Sequence, residues 1–589
     1  MLTPFDYGVI AFYFVFMLAI GVVFKNFIGN TSDYFRGGGQ MLWWMTGSSA
    51  FMVQFSAWTF TGGASKAYSD GWVILILFFA NALGFFMNYL YFAAKFRQMR
   101  VITPIQAVRA RYGKANEQFF TWLQIPMSTL YAAIWLNGLG IFFSAVFGLD
   151  LKTTILVTGG VVLILSLLGG SWAVVASDFM QVLILMPISV VVAVLALGKV
   201  GGPVALVRDF PSDNFAGSGM NYTAIFFVWI VAILIKQFIS TNNMLDASRY
   251  LCAKDSDHAR KGALLAGSLF LIGPVIWFIP PMAAAILHPD LAAMFPNLAR
   301  PSEASYVAMA STVLPIGMMG LLASGIFAAT MSSMDSGLNR NAGIFVKNFY
   351  ESVLRPKASE KELLLTGKLV TVVLGGLILI AALEFSKMKG IGLFDLMLQF
   401  GALVALPYSI PLVLGMVIRG TPDWAGWTTV LIGFCASLVG KFVINADWLV
   451  RTFGLEPLTG REIADYSLAV GVLLNLIVGV TWFVLSRKFY LHHKEERDAE
   501  VGEFFDRLSR PIDFESEIGK SKDSQQGGAL GNLAMIYGGF ICLLMLIPNP
   551  LSGRIAFLFT GGFLVIIGVL LKRSGRSARE AEDAAATGR

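Results

Sequence analysis

The chain has 589 residues, 56% of them hydrophobic and only 14% charged, with a formal net charge of +7 and a mean hydropathy of +0.69. Apolar runs of roughly 18 to 25 residues recur along it, each long enough to cross a hydrocarbon core of ~30 Å, which excludes a soluble enzyme and predicts an all-α polytopic membrane protein. The positive charge does not point to nucleic acid: Lys and Arg gather at span ends, where anionic headgroups of a lipid bilayer account for them.

In chain order, the first apolar run, Tyr7 to Val23, lacks a basic leader and a small-residue cleavage site, so it is expected to be retained as a span. About fifteen spans follow from the hydropathy pattern, at roughly 6–24, 41–66, 71–95, 118–147, 152–168, 172–198, 221–243, 262–287, 305–333, 364–385, 391–418, 423–444, 465–486, 531–547 and 553–571. Lys95, Arg97, Arg100, Arg109, Arg111 and Lys114 fall in one connection, Arg249, Lys254, Arg260 and Lys261 in another, and Arg340, Lys347, Arg355, Lys357 and Lys361 in a third. Because the inner side carries the basic loops, the N-terminus is expected outside and the C-terminus in the cytoplasm of a cell (inner) membrane. Residues 487–530 form the one sizeable hydrophilic stretch, charged with both signs, and are expected to be an amphipathic cytoplasmic connector.

Polar residues interrupt two of these spans. The second carries Gly47, Ser48 and Ser49 and then Gln54, Ser56, Thr59, Thr61, Gly62 and Gly63; the seventh carries Lys236, Gln237, Ser240, Thr241, Asn242 and Asn243. Their five-span separation fits inverted repeats whose first helices unwind at the bilayer midplane, although Gly and Ser also serve close helix packing. Asp178 on the sixth span and Ser332, Ser333, Asp335 and Ser336 on the ninth are hard oxygen ligands in apolar surroundings, a costly placement that points to a cation site. Cys252, Cys435 and Cys542 fit no metal or disulfide spacing, and none is expected to be bridged. His258, His288, His492 and His493 fall in loops or at span ends, so proton coupling would have to use Asp178 or Asp335. Neither HExxH nor GxSxG occurs, which argues against an intramembrane enzyme.

A longer pattern is more specific. Asp33-Tyr34-Phe35-Arg36-Gly37-Gly38-Gly39, Trp43-Trp44, Thr103-Pro104 with Arg111-Tyr112-Gly113, Gly169-Gly170 with Ala173-Val174, Ser177-Asp178 and Gln181, and Ser332-Ser333-Met334-Asp335-Ser336-Gly337-Leu338-Asn339 resemble, in order and spacing, the sodium:solute symporter family. Phe504-Phe505 with Pro511-Ile512-Asp513-Phe514-Glu515 also resembles a segment of its longer members. The resemblance implies a LeuT-like 5+5 inverted-repeat core with one leading and about four trailing helices. The expected segments are a leading helix and loop at 1–40, repeats at 41–199 and 221–419 around an extracellular loop at 200–220, two trailing helices at 420–486, the connector at 487–530, two C-terminal helices at 531–571 and a tail at 572–589.

The resemblance also implies Na⁺ as coupling ion. Its principal site would use the carbonyls of Met52, Phe55 and Ala329 and the hydroxyls of Ser332 and Ser333, although serines in helices also bond back to carbonyls one turn earlier. A second Na⁺ site would use Asp178, Ser332, Asp335 and Ser336; the competing reading gives Asp178 a structural or ion-release role and pairs Asp335 with Arg340 or a water. The positions matching the solute site are Gln54, Trp58, Thr59, Phe78, Asn81, Lys236 and Phe270, with Gln399 added on the eleventh span. Phe at two otherwise polar positions argues against a hexose. Lys236 could bind a substrate carboxylate if it pointed inward, but its place two-thirds through the span favours snorkelling toward the cytoplasm. The expected function is Na⁺-coupled import of a small polar organic solute (a sugar derivative, sugar acid or other small carboxylate) by alternating access. A proton-coupled or facilitative carrier and a membrane sensor are the alternatives, and the oligomeric state is left open.

Overall fold

The computed structural model describes the whole chain except residues 1, 26, 28–30, 168–170, 212–216, 218, 389–391, 491–494, 520 and 587–589. Gly169 and Gly170 of the sequence pattern, and His492 and His493, lie outside the described residues. The described residues form no β-strand, and their helices cover the fifteen expected spans, two of them in broken form. Twelve of these helices are long and apolar enough to cross a membrane. The remaining three spans are the short helix Leu151–Ser166, the broken second span, and the ninth, whose helix is rich in Gly, Ser and Asn.

The second span begins as the helix Trp43–Met52, opens through residues 53–56, and is helical again from Ala57, through a π-helical turn, Thr59–Gly63, into Ala64–Asp70. Opening a helix at membrane depth frees backbone groups that must find partners within the protein. One is found across the fold: the freed N–H of Ala57 donates to the Thr330 hydroxyl of the ninth span at 2.8 Å. The seventh span stays helical through Thr223–Thr241 and breaks only after Thr241, at Asn242 and Asn243. The break comes at the end of the polar string, where the Asn243 side chain accepts the Leu245 N–H at 2.9 Å.

The ninth span departs from the single helix expected over 305–333. It is divided into Ser305–Val313 and Met318–Ile344, parted where Pro315 removes a donor and Gly317 adopts φ 89°. The second of these helices carries the Ser332–Asn339 motif past the second and sixth spans, while the fourth, Pro104–Phe147, packs along it. Arg111 and Tyr112 of the sequence pattern serve this scaffold. Arg111 donates to the carbonyls of Gly415 and Ile418 at 2.9 and 2.8 Å, and the Tyr112 hydroxyl donates to the Pro411 carbonyl at 2.6 Å, fixing the end of the eleventh span on the fourth.

The last two spans, Asp523–Leu543 and Leu551–Ala586, form a hairpin in which glycines face glycines. A Cβ on Gly531 would lie 2.7 Å from the Gly568 carbonyl oxygen, and one on Gly538 would lie 2.7 Å from that of Gly561. Only a bare backbone permits such close approach. The hairpin leans on the first span through Phe12, whose ring stacks on Phe540 with centroids 3.6 Å apart.

The connector holds an amphipathic helix, Glu495–Ser509, fastened beneath the core. Arg100, at φ 56° in the loop after the third span, donates twice to the Glu517 carboxylate, each at 2.8 Å. Arg497 pairs with Asp423 at 2.9 Å, Lys254 with Asp523 at 2.5 Å, and the Gln526 amide donates to the Gln40 carbonyl at 2.8 Å. Four loops of the core are thereby tied to one segment.

Candidate functional site

Three carbonyls meet one hydroxyl between the second and ninth spans. Ser333 Oγ lies 3.0 Å from the Met52 carbonyl oxygen, 2.9 Å from that of Phe55 and 3.3 Å from that of Ala329. Met52 and Phe55 turn these oxygens toward Ser333 because the helix opens at residues 53–56. A serine hydroxyl has one proton to donate, so Ser333 serves only one of the three acceptors at a time, while the Met52 carbonyl also accepts the Phe55 N–H at 3.1 Å. A bound cation would engage all three together with the hydroxyl oxygen, giving a use for the convergence that back-bonding to Ala329 alone does not.

Ser332, expected in the same set, turns the other way. Its hydroxyl donates to Asp178 Oδ1 at 2.5 Å, and Ser49 of the second span donates to Asp178 Oδ2. The Asp178 carboxylate, fully buried, therefore ties the second, sixth and ninth spans together. Ser49 stood in the sequence only as an interruption of the apolar pattern; its function in the fold is to fill one side of this carboxylate.

The four residues of the expected second ion site have different partners. Asp178 and Ser332 are paired, whereas Asp335 accepts a hydrogen bond from Ser166 of the fifth span in a small cavity against the first and sixth spans. Ser336 lines a separate cavity beside Arg249, and its buried hydroxyl has no protein partner. The expected Asp335–Arg340 pairing is replaced: Arg340 pairs with Asp246 at 3.5 Å.

Beside the three carbonyls lies a cavity of about 190 Å³ lined by the second, third, fourth, seventh and eleventh spans. Gln54, Trp58, Asn81 and Lys236 line it as expected, with Phe78. Thr59 and Gln399 are not among its lining residues, and Phe270 stacks instead on Phe85 with centroids 5.4 Å apart. Lys236 corrects the snorkelling expectation: it is buried, faces the cavity, and its Nζ donates to Gln237 Oε1 at 2.9 Å. Gln237 in turn donates to Asn81 Oδ1. Tyr131, Trp135 and Tyr408 also line the cavity and were not singled out in the sequence.

Both ends of the cavity are bounded. At one, the Trp58 indole N–H donates to the Leu393 carbonyl at 3.0 Å and its ring stacks on Phe394, with centroids 5.7 Å apart. Lys66 lies 5.5 Å over the same Phe394 ring and pairs with Asp70 at 2.5 Å, while Arg461 reaches Asp70 at 3.3 Å. At the other end stands the Asp246–Arg340 pair, with Asn243 donating to Asp246 at 2.8 Å. Among the described residues, no group of three or more His, Cys, Asp or Glu side chains could hold a metal ion, so a cation here would rest on carbonyl and hydroxyl oxygens.

Comparison with known proteins agrees with this architecture. The pattern of the "Sodium:solute symporter family" matches residues 34–423. Sodium/glucose cotransporter 1 of Mus musculus is 25% identical over 531 residues, covering 82% of this chain and 78% of that protein. Sodium/myo-inositol cotransporter 2 of Sus scrofa is 24% identical over 482 residues (74% and 70%), and the sodium/sialic acid symporter SiaT of Proteus mirabilis 23% over 451 (74% and 89%). A solved structure of a Na⁺-coupled sialic acid symporter in its substrate-bound outward-open state superposes with a TM-score of 0.66 at 21% identity, covering 82% of this chain and 98% of that one. It shares the fold.

Proposed function

Because the chain belongs to the sodium:solute symporter family, we propose that Ser333 and the carbonyls of Met52, Phe55 and Ala329 hold the coupling Na⁺, and that the adjoining cavity holds the solute. The protein is a multi-pass membrane transporter and not an enzyme, and it couples movement of a small polar organic solute to Na⁺. The observation that carries the site assignment is the meeting of three carbonyls on one hydroxyl across the broken second span.

The chemistry of the cycle follows from that position. Na⁺ entering from outside would be held by the Ser333 oxygen, whose proton turns away, and would attract all three carbonyls at once, so the second span is braced against the ninth. Gln54 sits inside the opened segment, between Met52 and Phe55, and reaches the cavity. Ordering the ion site therefore orders one wall of the solute site. With the basic loops inside, the Trp58–Phe394 end is the outer closure and the Asp246–Arg340 pair the inner one. Opening the inner pair releases ion and solute to the cytoplasm, and a membrane potential adds ~2.3 kcal/mol per charge per 100 mV to the drive.

The test is thermal stabilisation of the purified protein, followed by uptake into proteoliposomes under an inward Na⁺ gradient. Stabilisation by Na⁺ and not K⁺, with uptake that collapses when the gradient is removed, is the expected result. Equal responses to both cations would sink the reading and favour a proton-coupled carrier.

A further inference from the structure

The cavity is left with one uncompensated positive charge. Lys236 is buried in it, and the partner given to its ammonium is the neutral Gln237 oxygen at 2.9 Å. Among the described residues, no carboxylate forms an ion pair with it. Asp246, the acid that lines the same cavity, is already engaged by Arg340 at 3.5 Å and by Asn243 at 2.8 Å. A charge buried without a counter-ion is destabilising by several kcal/mol, and a counter-ion delivered by the ligand removes that cost.

The surroundings give the counter-ion a shape. The Lys236 head rests over Gly401: a methyl group there would lie 3.1 Å from Nζ and 3.2 Å from the Tyr131 hydroxyl. Ammonium and phenol thus meet over one point, where the eleventh span makes the π-helical turn Gly401–Ala405. Asn81 holds Gln237 from the other side, so the Lys236 head is fixed in place. The cavity also presents the aromatic rings of Trp58, Phe78 and Trp135 among its lining.

We propose that the transported solute is an organic carboxylate, its carboxylate bound by Lys236 Nζ and the Tyr131 hydroxyl and its body lying against Trp58, Phe78 and Trp135. This rests on the assignment of the cavity as the solute site and narrows the solute from small polar molecules in general to anions of this class. Two donors side by side suit the two oxygens of a carboxylate, and a neutral polyol would leave the ammonium without its counter-ion.

The experiment uses the full-length protein at fixed, saturating Na⁺ and matched pairs of acid and neutral analogue: lactate and propane-1,2-diol, gluconate and glucitol, benzoate and benzyl alcohol, with sulfate as the inorganic control. At least one acid is expected to raise Tm in Na⁺ but not in K⁺, while its neutral partner and sulfate do not. Lys236→Met should raise the half-saturating concentration of that acid by about 30-fold or more, as expected for truncating one partner of a buried charge pair; Lys236→Arg should restore most of the affinity. Equal stabilisation by the neutral partners or sulfate, undiminished acid binding in Lys236→Met, or no response to any acid in the panel would overturn the proposal. The Na⁺-only shift separates this outcome from failure of the symport reading. If that shift persists in wild type and in Lys236→Met, the protein is folded and the ion site stands whatever the panel shows; if it is absent in wild type, the symport reading itself fails.

Discussion

The contact between the second and ninth spans and the hairpin of the last two spans are both helix pairs in the same bilayer, built on opposite principles. In the first, the backbone is opened and its groups meet side chains of the facing helix: the Ala57 N–H donates to Thr330, and the Met52 and Phe55 carbonyls share the one Ser333 hydroxyl. In the second, both helices are intact and glycine lies against glycine, with no side chain between Gly531 and the Gly568 carbonyl. A contact made of exchangeable hydrogen bonds can admit an ion and part again. One made of backbone laid on backbone has nothing to exchange. The working interface is therefore expected to respond to Na⁺, and the hairpin to be indifferent to it.

Removing the Ser333 hydroxyl should break this contrast most severely. Ser333→Ala deletes one ligand of a charge and is expected to raise the Na⁺ concentration for half-maximal thermal stabilisation by about 10-fold or more, corresponding to a charge-assisted contact of ~1.5–3 kcal/mol. An unchanged Na⁺ midpoint would move the ion elsewhere.

Gly531→Leu should give the converse result. It forces a side chain into the hairpin and is expected to cost about 1–3 kcal/mol of stability, leaving the Na⁺ midpoint where it was. A shifted midpoint would show that the hairpin is part of the moving machinery.

Asp178→Asn is expected to have a smaller effect. The amide keeps the shape of the carboxylate but offers one acceptor and one donor, so either Ser49 or Ser332 must reverse its hydrogen bond. The Na⁺ midpoint should rise by about threefold, less than in Ser333→Ala, because Asp178 reaches the ion site only through these serines. A larger loss than in Ser333→Ala would place a cation at Asp178 itself.

The smallest effect concerns the connector. Hydrogen bonds from Arg100 hold the Glu517 carboxyl below its ordinary range. A carboxylate whose folded pKa is depressed contributes stability above its unfolded value of ~4.3, and loses that contribution as pH falls through the folded value. The Tm difference between wild type and Glu517→Gln should thus be constant from neutral pH to about pH 5, shrink once pH falls below the unfolded value of ~4.3, and vanish below the lower folded value. At this partly exposed position it should amount to a degree or so, since such pairs are worth at most ~1 kcal/mol. A difference that grew on acidification would exclude the ion pair as its source.

The spans and their order were legible in the sequence because hydropathy over twenty residues averages out local irregularity. Ser333 and its three carbonyls were legible because the break in the second span and the serine pair lie in a recognisable pattern. The solute cavity was only partly so, for a geometric reason. The second span resumes through the π-helical turn Thr59–Gly63 and the eleventh passes through another at Gly401–Ala405, and each such turn rotates the faces of the helix around it. Trp58 therefore reaches the cavity while Thr59 does not, and Met397, Leu398 and Gly401 line it while Gln399 does not. Ser166 was not singled out, and Ser49 was read only as an interruption of the apolar pattern, because serines in membrane helices look alike whether they pack or bind a carboxylate. Lys236 was misplaced because depth along a span says nothing about the direction of a side chain around it.

The fastening of the connector carries a consequence for how the protein is made. Arg100 waits 417 residues along the chain for Glu517, and Leu42 waits 484 for Gln526. A ribosome delivers the spans bearing Ser333 and its three carbonyls before it delivers the segment that ties these loops together. Until residues 495–526 emerge, the loops bearing Arg100 and Lys254 are without these partners. A product truncated before that segment would carry the whole proposed ion site and still leave those loops untied.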